Sequence, residues 1–342
     1  MNDILQSMFD CLSRGNAIYQ PSKFWEELNT KNIQQLMSGG LENIKQTVAH
    51  NYFTWVIGRT DKQFRYLVRH TNILDWPAIL KGFFTFDQSF PLNRHQQREL
   101  VVFTRMLWKF TERIDSERLL SRIGEPSEGN PLKIYLNRKL ISQDLANSVL
   151  EYYSIREHFE ATANGGTTIC ELGAGYGRNA YVFMKVLKKC KYIVIDIPPA
   201  LYISQHYLTS VFPNKKIFIF RPFDRFCDVE NEFNEADIAF LLPHQAEMLP
   251  EKSVDLFINI SSLHEMRINQ IHAYFKLIDK LTKGFFYSKQ WWVSHNEADG
   301  ITITTKDYPV PAHWKQLYLR EAKVQTYFFE AMYYLNNTRK ID

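Results

Sequence analysis

The sequence predicts an α/β protein in which a helical N-terminal part precedes a doubly wound, mainly parallel sheet. From residue 167 onward, short apolar runs rich in β-branched and aromatic residues alternate with helix-compatible stretches, which is the pattern of βαβ units. Before about residue 150, apolar residues instead recur at every third or fourth position, as in amphipathic helices. We therefore predict a helical accessory or lid domain over 1–150 and a sheet domain over 151–342.

The composition excludes several classes of protein. A chain of 342 residues with 45% hydrophobic and 23% charged residues is globular rather than disordered or coiled-coil. The net charge of +4 lies in residues 1–150 (19 basic against 15 acidic) and is too small to predict a nucleic-acid partner. No apolar run is long enough to span a membrane. The four cysteines form no CxxC pair, so we expect a cytoplasmic protein without a zinc site or a disulfide framework.

Local signals place the helices of the N-terminal part. Ser22 is positioned to cap a helix that follows it. Apolar residues spaced three and four apart predict an amphipathic helix over 96–120. Segment 124–131 holds two glycines and two prolines and is predicted to be a loop. A further helix is expected over roughly 140–160.

The strands of the second part are predicted to follow the turn Asn164-Gly165-Gly166. Apolar runs predict strands at 167–172, 191–196, 216–220, 237–242, 255–260 and 284–292. Two final runs, 301–305 and 325–335, leave little room for a helix between them. We expect these two to close the sheet in antiparallel orientation.

A glycine loop follows the first of these strands. Gly173-Ala174-Gly175-Tyr176-Gly177 lies between strand 167–172 and a helix-compatible run that starts at Asn179. Glycines there allow a tight turn and a close approach of backbone to ligand at a helix N-terminus. A dinucleotide fingerprint requires GxGxxG, but Arg178 occupies the third glycine position. The loop therefore does not match the pattern of NAD-binding proteins.

Two acidic residues point to a different ligand. Glu171 precedes the first glycine by two residues, where its carboxylate would repel a pyrophosphate but suit an α-ammonium group. S-adenosylmethionine carries such a group. Asp196 ends the next strand, where a carboxylate can accept hydrogen bonds from both ribose hydroxyls.

The turn at 244–250 (HQAEMLP), followed by 253–257 (SVDLF), adds a resemblance. Here the sequence resembles the Rossmann-like class I methyltransferases, in which a D-A-E-x-L-P turn contacts adenine; Gln245 stands where Asp is usual. The spacing from Asp196 to Gln245 is long and predicts an insertion around 221–236. The cofactor-binding residues predicted in this way are Glu171, Gly173, Ala174, Gly175, Tyr176, Gly177, Asp196, Ile197, Gln245, Ala246, Asn259 and Ser261.

The whole chain also resembles a bacterial family of sugar O-methyltransferases. The segments that carry this resemblance are 21–29, 51–55, 173–180, 194–201, 240–250, 257–266 and 287–292. The resemblance implies methyl transfer from S-adenosylmethionine to a hydroxyl of a sugar, nucleotide-sugar or glycan acceptor, with S-adenosylhomocysteine as product. A small natural-product hydroxyl or a carboxylate as acceptor, and a non-catalytic cofactor-binding module, are the alternatives.

The predicted chemistry lies after strand 255–260, because ligands of doubly wound sheets bind outside the carboxyl ends of the strands. A sugar hydroxyl has a high pKa, so its methylation requires a base. His264 is the predicted base, since imidazole titrates near neutral pH. Glu265 would orient His264 or hold a neighbouring hydroxyl, and His295 is a second candidate base. Alternatively, His264 caps the following helix or packs internally. Glu265 could instead lie in the first turn of that helix, where the helix dipole favours an acidic residue. A divalent ion held by Glu265, Glu297 and Asp299 could lower the hydroxyl pKa and is left open, but no essential metal is expected.

Other side chains are candidates for contact with the acceptor. Trp291 and Trp292 could stack on a sugar or adenine ring or belong to the core, and Lys289 could contact substrate or be solvated. A basic group could grip a phosphorylated acceptor or form a solvated helix face. Its members are Arg59, Arg65, Arg69 and His70.

Overall fold

The computed structural model describes residues 3–48, 54–84, 92–161 and 166–335. Residues Asn51, Tyr52 and Phe53 of the segment 51–55, and the turn residues Asn164 and Gly165, lie outside the described residues. Helices of the described residues are α1 (Asp3–Arg14), α2 (Lys23–Gly39), α3 (Lys62–His70), α4 (Trp76–Leu80), α5 (Arg94–Ile114), α6 (Leu119–Arg122), α7 (Gln143–Arg156), α8 (Arg178–Val186), α9 (Ala200–Val211), α10 (Glu230–Glu235), α11 (Pro243–Ala246) and α12 (Ile268–Leu281).

The N-terminal helices begin and end largely where local signals predict. Ser22 caps α2 by accepting a hydrogen bond from the Trp25 N–H. The helix predicted over 96–120 instead ends at Ile114, because the Asp115 carboxylate accepts hydrogen bonds from the N–H groups of residues 119 and 120 and starts α6. Helix α7 crosses residue 150, and the division of the chain there stays a prediction.

The strands of the described residues are β1 (Tyr135–Leu136), β2 (Lys139–Leu140), β3 (Thr167–Leu172), β4 (Cys190–Ile195), β5 (Ile217–Phe218), β6 (Ile238–Leu241), β7 (Val254–Ile260), β8 (Thr282–Trp291), β9 (Val293–Asn296), β10 (Ile301–Thr304), β11 (Lys315–Glu321) and β12 (Phe328–Tyr334). Eight of them form one sheet in the order β11-β12-β8-β7-β3-β4-β6-β5. Neighbouring strands from β8 to β5 in that order are parallel, whereas β12 is antiparallel to both β8 and β11.

Both faces of this sheet are buried. Neighbouring residues of β3 belong to different hydrophobic clusters, Ile169 to one that includes residues of α7, α8 and α9, and Cys170 to one that includes residues of α12. Successive side chains of a strand point to opposite faces, so the two clusters cover the two faces. The predicted fold class is confirmed: a doubly wound, mainly parallel Rossmann-like sheet with a helical N-terminal region.

Two strand predictions need correction, and one strand of the sheet was not predicted. The run 216–220 contributes only the two residues of β5, at the edge of the sheet. The run 301–305 does not join the sheet, because β10 pairs with β9 in a separate antiparallel ribbon. The strand that closes the sheet beside β12 is β11, which the sequence analysis missed because its residues are half-buried or exposed and lack a long apolar run. The predicted insertion forms a short 3₁₀ turn and α10.

None of the described helices is long and apolar enough to cross a membrane.

Candidate active site

A cavity opens at the carboxyl ends of β3, β4, β6 and β7. Strand β3 lies between β4 and β7, so the chain leaves β3 toward one side of the sheet and later returns on the other. Ligands of doubly wound sheets bind at this reversal of strand order. The lining residues are Tyr19, Gln20, Pro21, Ser22, Trp25, Leu172, Gly173, Gly175, Asp196, Ile197, Pro243, Ser261, Ser262, Glu265, Met266, Gln270 and Tyr274.

Two of the five glycine-loop residues line the cavity. Gly173 has φ +71°, and a Cβ atom there would lie 2.2 Å from the Ser262 Oγ atom, so only glycine allows the loop to approach the end of β7 so closely. Gly177 instead packs against Leu208 of α9. Ala174 and Tyr176 are buried outside the lining, and the Tyr176 hydroxyl donates to Asp144 at 2.5 Å.

Asp196 and Ile197 lie where the sequence places them, at the cavity beside the end of β4. The Asp196 carboxylate accepts hydrogen bonds from the backbone N–H of Gly175 at 2.9 Å and of Ile197 at 2.8 Å. Burial raises the pKa of this carboxyl group to about 7, although the two N–H donors lower it. The carboxylate thus ties the glycine loop to the end of β4.

The structure corrects the role predicted for Glu171. Its carboxylate accepts hydrogen bonds from Asn179 Nδ2 at 3.0 Å and from the Tyr192 hydroxyl at 2.7 Å. Glu171 is buried, does not line the cavity, and burial raises its pKa to about 7. The side chain therefore joins α8 to β4 and is not placed to pair with a ligand ammonium group.

Gln245, Ala246 and Asn259 are also buried away from the cavity. Gln245 Oε1 accepts from the Leu242 N–H at 3.0 Å, and its Nε2 donates to the Arg221 carbonyl at 2.9 Å. Because its amide is already paired, Gln245 is not placed to contact adenine. Asn259 likewise bonds the carbonyl of Leu172, at the end of β3, at 2.9 Å. Gln245 and Asn259 thus connect the segments that follow or end the strands, and their predicted contacts with the cofactor stay predictions.

The turn after β7 brings Ser261, Ser262, Glu265 and Met266 to the cavity. Glu265 keeps 21% of its side-chain exposure, but its Oε2 atom is buried and has no hydrogen-bond partner. Burial raises the pKa of this carboxyl group to about 8, the charge of Asp196 adds to the rise, and a hydrogen bond from the Trp25 side chain lowers it. The cavity thus contains two carboxyl groups that titrate near neutral pH.

His264 does not line the cavity, which corrects its prediction as the residue that contacts the acceptor. Its Nδ1 atom lies 3.0 Å from Gln290 Oε1, and its Nε2 atom lies 3.6 Å from Glu265 Oε1. The ring packs against Trp291 and Phe328, and burial lowers its pKa to about 4. His264 is therefore a neutral side chain behind Glu265.

His295 and Lys289 are also absent from the cavity lining. His295 is exposed on β9, and its Nδ1 atom lies 3.0 Å from Thr302 Oγ1 across the ribbon. Lys289 is buried and donates to Glu151 at 2.8 Å, so it is a core ion-pair partner rather than a solvated or substrate-binding lysine. None of the four residues of the basic group contributes to the lining of the cavity.

The sequence analysis missed the N-terminal wall of the cavity, formed by residues 19–22 and Trp25. Gln270 of α12 holds this segment by donating to the carbonyl groups of Ile18 and Gln20 at 2.9 and 2.8 Å. The Ser22 hydroxyl donates to the Glu265 carbonyl at 3.1 Å. The sequence of segment 21–29 predicts a helix cap at Ser22 and contributes to the family resemblance. Neither signal indicates that the segment reaches the ends of the strands.

Comparisons with known proteins give structural likenesses only. No protein-family model matches the chain, and no curated protein matches it significantly. A SAM dependent methyltransferase from Aquifex aeolicus is 15% identical and has a TM-score of 0.33, over 54% of this chain and 89% of that one. Magnesium protoporphyrin IX methyltransferase from Synechocystis PCC 6803 is 10% identical with a TM-score of 0.37, over 55% and 76%. Mitomycin 7-O-methyltransferase is 8% identical with a TM-score of 0.38, over 81% and 69%. Scores at this level carry no argument about function, which depends on the geometry of the site.

Proposed function

We propose that this protein transfers a methyl group from S-adenosylmethionine to a hydroxyl of a sugar or glycan precursor and releases S-adenosylhomocysteine. The observation that carries the proposal is the pair of carboxyl groups in the cavity at the strand reversal. Asp196 and Glu265 line it, and no Lys, Arg or His is found among its described lining residues. Such a cavity favours a cation and disfavours the pyrophosphate of a dinucleotide.

The lining residues fit this methyl donor, which carries a sulfonium and an α-ammonium group. The aromatic rings of Tyr19, Trp25 and Tyr274 border the cavity and can face a cation. Asp196 stands at the end of β4, where its carboxylate is available to ribose hydroxyls. The donor supplies an electrophilic carbon, and the protein must align the acceptor oxygen and remove its proton.

Glu265 is the group best placed to take that proton. It lines the cavity, has an unpaired carboxylate oxygen and has a pKa raised to about 8, which makes it a stronger base than an ordinary carboxylate. The hydroxyl proton passes to the Glu265 carboxylate as the hydroxyl oxygen gains the methyl group. His264, held by Gln290, packs behind Glu265 and acts as a positioning residue.

The test is calorimetric titration of the protein with S-adenosylmethionine, S-adenosylhomocysteine and NAD⁺. We expect heat from the first two ligands and none from NAD⁺. Gly173→Ala should weaken binding at least about tenfold, because the added Cβ atom meets Ser262 and the positive φ disfavours alanine. Gly124→Ala is the matched control, since its Cβ would lie in open space. Binding of NAD⁺ alone would contradict the proposal.

The acceptor class needs a separate measurement. Methyl transfer from labelled donor should be screened with nucleotide sugars, neutral glycosides, phenols and small carboxylic acids. Product formed only with the sugar acceptors is the expected result. Product formed only with phenols or carboxylic acids would support the methyltransferase activity and contradict the sugar acceptor.

A further inference from the structure

Two neighbouring aliphatic side chains protrude from a turn of the N-terminal part. Ile73 and Leu74 are 81% and 82% exposed, the highest values among the exposed large hydrophobic residues of the described chain. They lie in the 3₁₀ turn Ile73–Asp75, between α3 and α4. Single exposed apolar residues are ordinary on a protein surface, whereas contiguous apolar patches mark interaction sites. We call Ile73 and Leu74 the aliphatic tip.

The residues that follow the aliphatic tip fix it to the rest of the protein. Asp75 Oδ1 lies 3.7 Å from Lys109 Nζ of α5, which ties the turn to that helix. Trp76 packs against the hydrophobic cluster that includes residues of α7, α8 and α9, and Ile79 is fully buried in it. The segment therefore buries other apolar side chains while its tip stays in contact with solvent.

Basic side chains flank the aliphatic tip on both sides along the chain. Arg65 and Arg69 are exposed one helical turn apart on α3, so they share a face of that helix. Lys81 is exposed directly after α4. Segment 62–81 contains four Lys and Arg residues and one Asp, which gives a net charge of +3. These arginines include two of the basic group predicted from the sequence, which does not reach the cavity.

Helix α5 adds a further cation beside the turn. Arg113 is exposed, and its guanidinium donates a hydrogen bond to the carbonyl of His70, the last residue of α3. The other charges of α5 at this place balance each other, because Lys109 pairs with Glu112 at 2.8 Å as well as with Asp75. The surroundings of the aliphatic tip are therefore positively charged in space as well as in sequence.

An aliphatic tip flanked by cations matches the surface of an anionic lipid bilayer. Aliphatic side chains enter the boundary between headgroups and acyl chains, and Lys and Arg are attracted to anionic headgroups. RNA also attracts cations, but single-stranded RNA is bound through aromatic rings that stack on its bases. The aliphatic tip has no ring, and the nearby rings of Tyr66 and His70 stack on each other with centroids 4.1 Å apart.

We propose that this surface binds a membrane that contains anionic lipids, with Ile73 and Leu74 inserted among the headgroups and Arg65 and Arg69 facing the lipid phosphates. The association is peripheral, in keeping with the lack of a membrane-spanning helix in the described part of the chain. The inference goes beyond the proposed function, because it requires no methyl donor and concerns a surface outside the cavity.

The test is sedimentation of the full chain with vesicles. One kind of vesicle contains phosphatidylcholine alone, and the other contains phosphatidylcholine and phosphatidylglycerol in equal parts. We expect at least about tenfold more protein on the anionic vesicles at low salt, and release of most of it at high salt, because salt screens the attraction. Binding to neither kind of vesicle, or equal binding to both, would overturn the inference.

Two double variants separate the aliphatic contribution from the charge contribution. Ile73→Ser with Leu74→Ser should lower binding to the anionic vesicles about tenfold or more, since the inserted apolar surface is lost. Arg65→Ser with Arg69→Ser should lower it by a similar factor, since two cations near the headgroups are lost. The exchanged side chains are exposed, so the melting temperature should not change. Wild-type binding in either double variant would contradict the proposal.

Matched controls use exposed residues elsewhere. Met37→Ser replaces an apolar side chain of α2 that is 73% exposed, and Lys188→Ser with Lys189→Ser removes two positive charges from the exposed segment before β4. Both controls should bind the anionic vesicles within about twofold of the wild type. A loss as large as in the test variants would show a general effect of surface composition and overturn the inference.

A polyuridylate RNA tested in the same way distinguishes a nucleic-acid surface from a lipid surface. Binding of the RNA but not of the vesicles, lost in Arg65→Ser with Arg69→Ser, would assign the surface to nucleic acid and overturn the inference. Calorimetry with S-adenosylhomocysteine on the same samples keeps the two proposals apart, because the vesicle experiment contains no methyl donor. Each proposal can therefore fail while the other stands.

Discussion

The glycine loop after β3 and the turn after β7 border one cavity but contribute to it differently. The loop contributes backbone, since Gly173 and Gly175 line the cavity while the Tyr176 hydroxyl is bonded to Asp144 outside it. The turn contributes side chains, including Ser262 and Glu265. The glycines that make the loop recognisable therefore shape the chain, and the polar side chains come from the turn after β7.

Two glutamates, the buried Glu171 and the partly exposed Glu265, show the same contrast. Both oxygens of Glu171 accept hydrogen bonds from core side chains, whereas Oε2 of Glu265 has no partner. Burial raises the pKa of both, to about 7 for Glu171 and about 8 for Glu265. The two carboxyl groups thus share a raised pKa and differ in their access to the cavity, which only Glu265 lines.

The largest expected effect is the loss of turnover in Glu265→Gln. Glutamine keeps the shape but cannot accept the proton, so we expect the rate of methyl transfer to fall by about 100-fold or more. Single-turnover transfer of labelled methyl to an acceptor that the wild type methylates measures this. Glu297→Gln, an exposed change between β9 and β10, is the control and should have no effect. A wild-type rate in Glu265→Gln would remove Glu265 from the mechanism.

The second prediction concerns pH. The empty cavity holds Asp196 and Glu265 with pKa values of about 7 and about 8, and a cationic ligand binds best when both are ionised. Affinity for S-adenosylmethionine should therefore rise by about tenfold or more between pH 6 and pH 8. In Glu265→Gln the rise should be smaller and end near pH 7. A wild-type affinity for S-adenosylmethionine that does not change between pH 6 and pH 8 would contradict the binding of a cation next to these carboxylates.

The free energy of unfolding of the unliganded protein should fall as the pH rises, whereas the affinity for S-adenosylmethionine should rise. Both carboxyl groups have folded-state pKa values above their unfolded values, so the folded state retains protons that the unfolded state releases. The free energy of unfolding should then fall as the pH rises from about 4.5 to about 8. Urea titrations across this range measure it, and Glu265→Gln should reduce the slope.

A smaller effect on ligand affinity is expected to distinguish Asp196, which lines the cavity, from Glu171, which is buried in the core. Asp196→Asn should weaken binding of S-adenosylhomocysteine by about tenfold, because one acceptor for the ribose and the loop is lost. Glu171→Gln should leave that affinity within about twofold but lower the free energy of unfolding by about 1–3 kcal/mol, since one donor loses its partner. Calorimetry and urea unfolding of both variants test the contrast, and reversed results would restore Glu171 as a ligand.

The smallest effect is expected for His295→Ala. The side chain is exposed and contacts Thr302 across the ribbon, outside the cavity. Turnover should remain within about twofold of wild type over pH 6–8, measured with the same transfer assay. A loss of about tenfold would identify His295 as a participant.

The sequence predicted the sheet well because buried parallel strands are continuous apolar runs, as in β3, β4 and β7. It missed β11, whose residues are half-buried or exposed at the sheet edge, and it misplaced 301–305, because an alternating run does not specify its partner. Local patterns determine the strand type, whereas pairing depends on contacts between distant residues.

The site was predictable only in part, because spacing locates strand ends but does not give side-chain direction. Asp196 and Glu265 line the cavity, while Gln245, Asn259 and His264 are buried and do not line it. Nothing in the sequence distinguishes these two groups, since each residue is polar and lies in or shortly after the last residues of a strand. The N-terminal wall was missed because residues 19–25 meet Gln270 across about 250 positions of chain.

The most direct test of the central claim is the number of protons released when S-adenosylmethionine binds. Calorimetry at pH 7.5 in two buffers with different ionisation enthalpies gives this number. A cation that binds beside Asp196 and Glu265 must displace protons, so the wild type should release protons and Glu265→Gln should release fewer. Binding with no proton release, or with equal release in both proteins, would contradict the account.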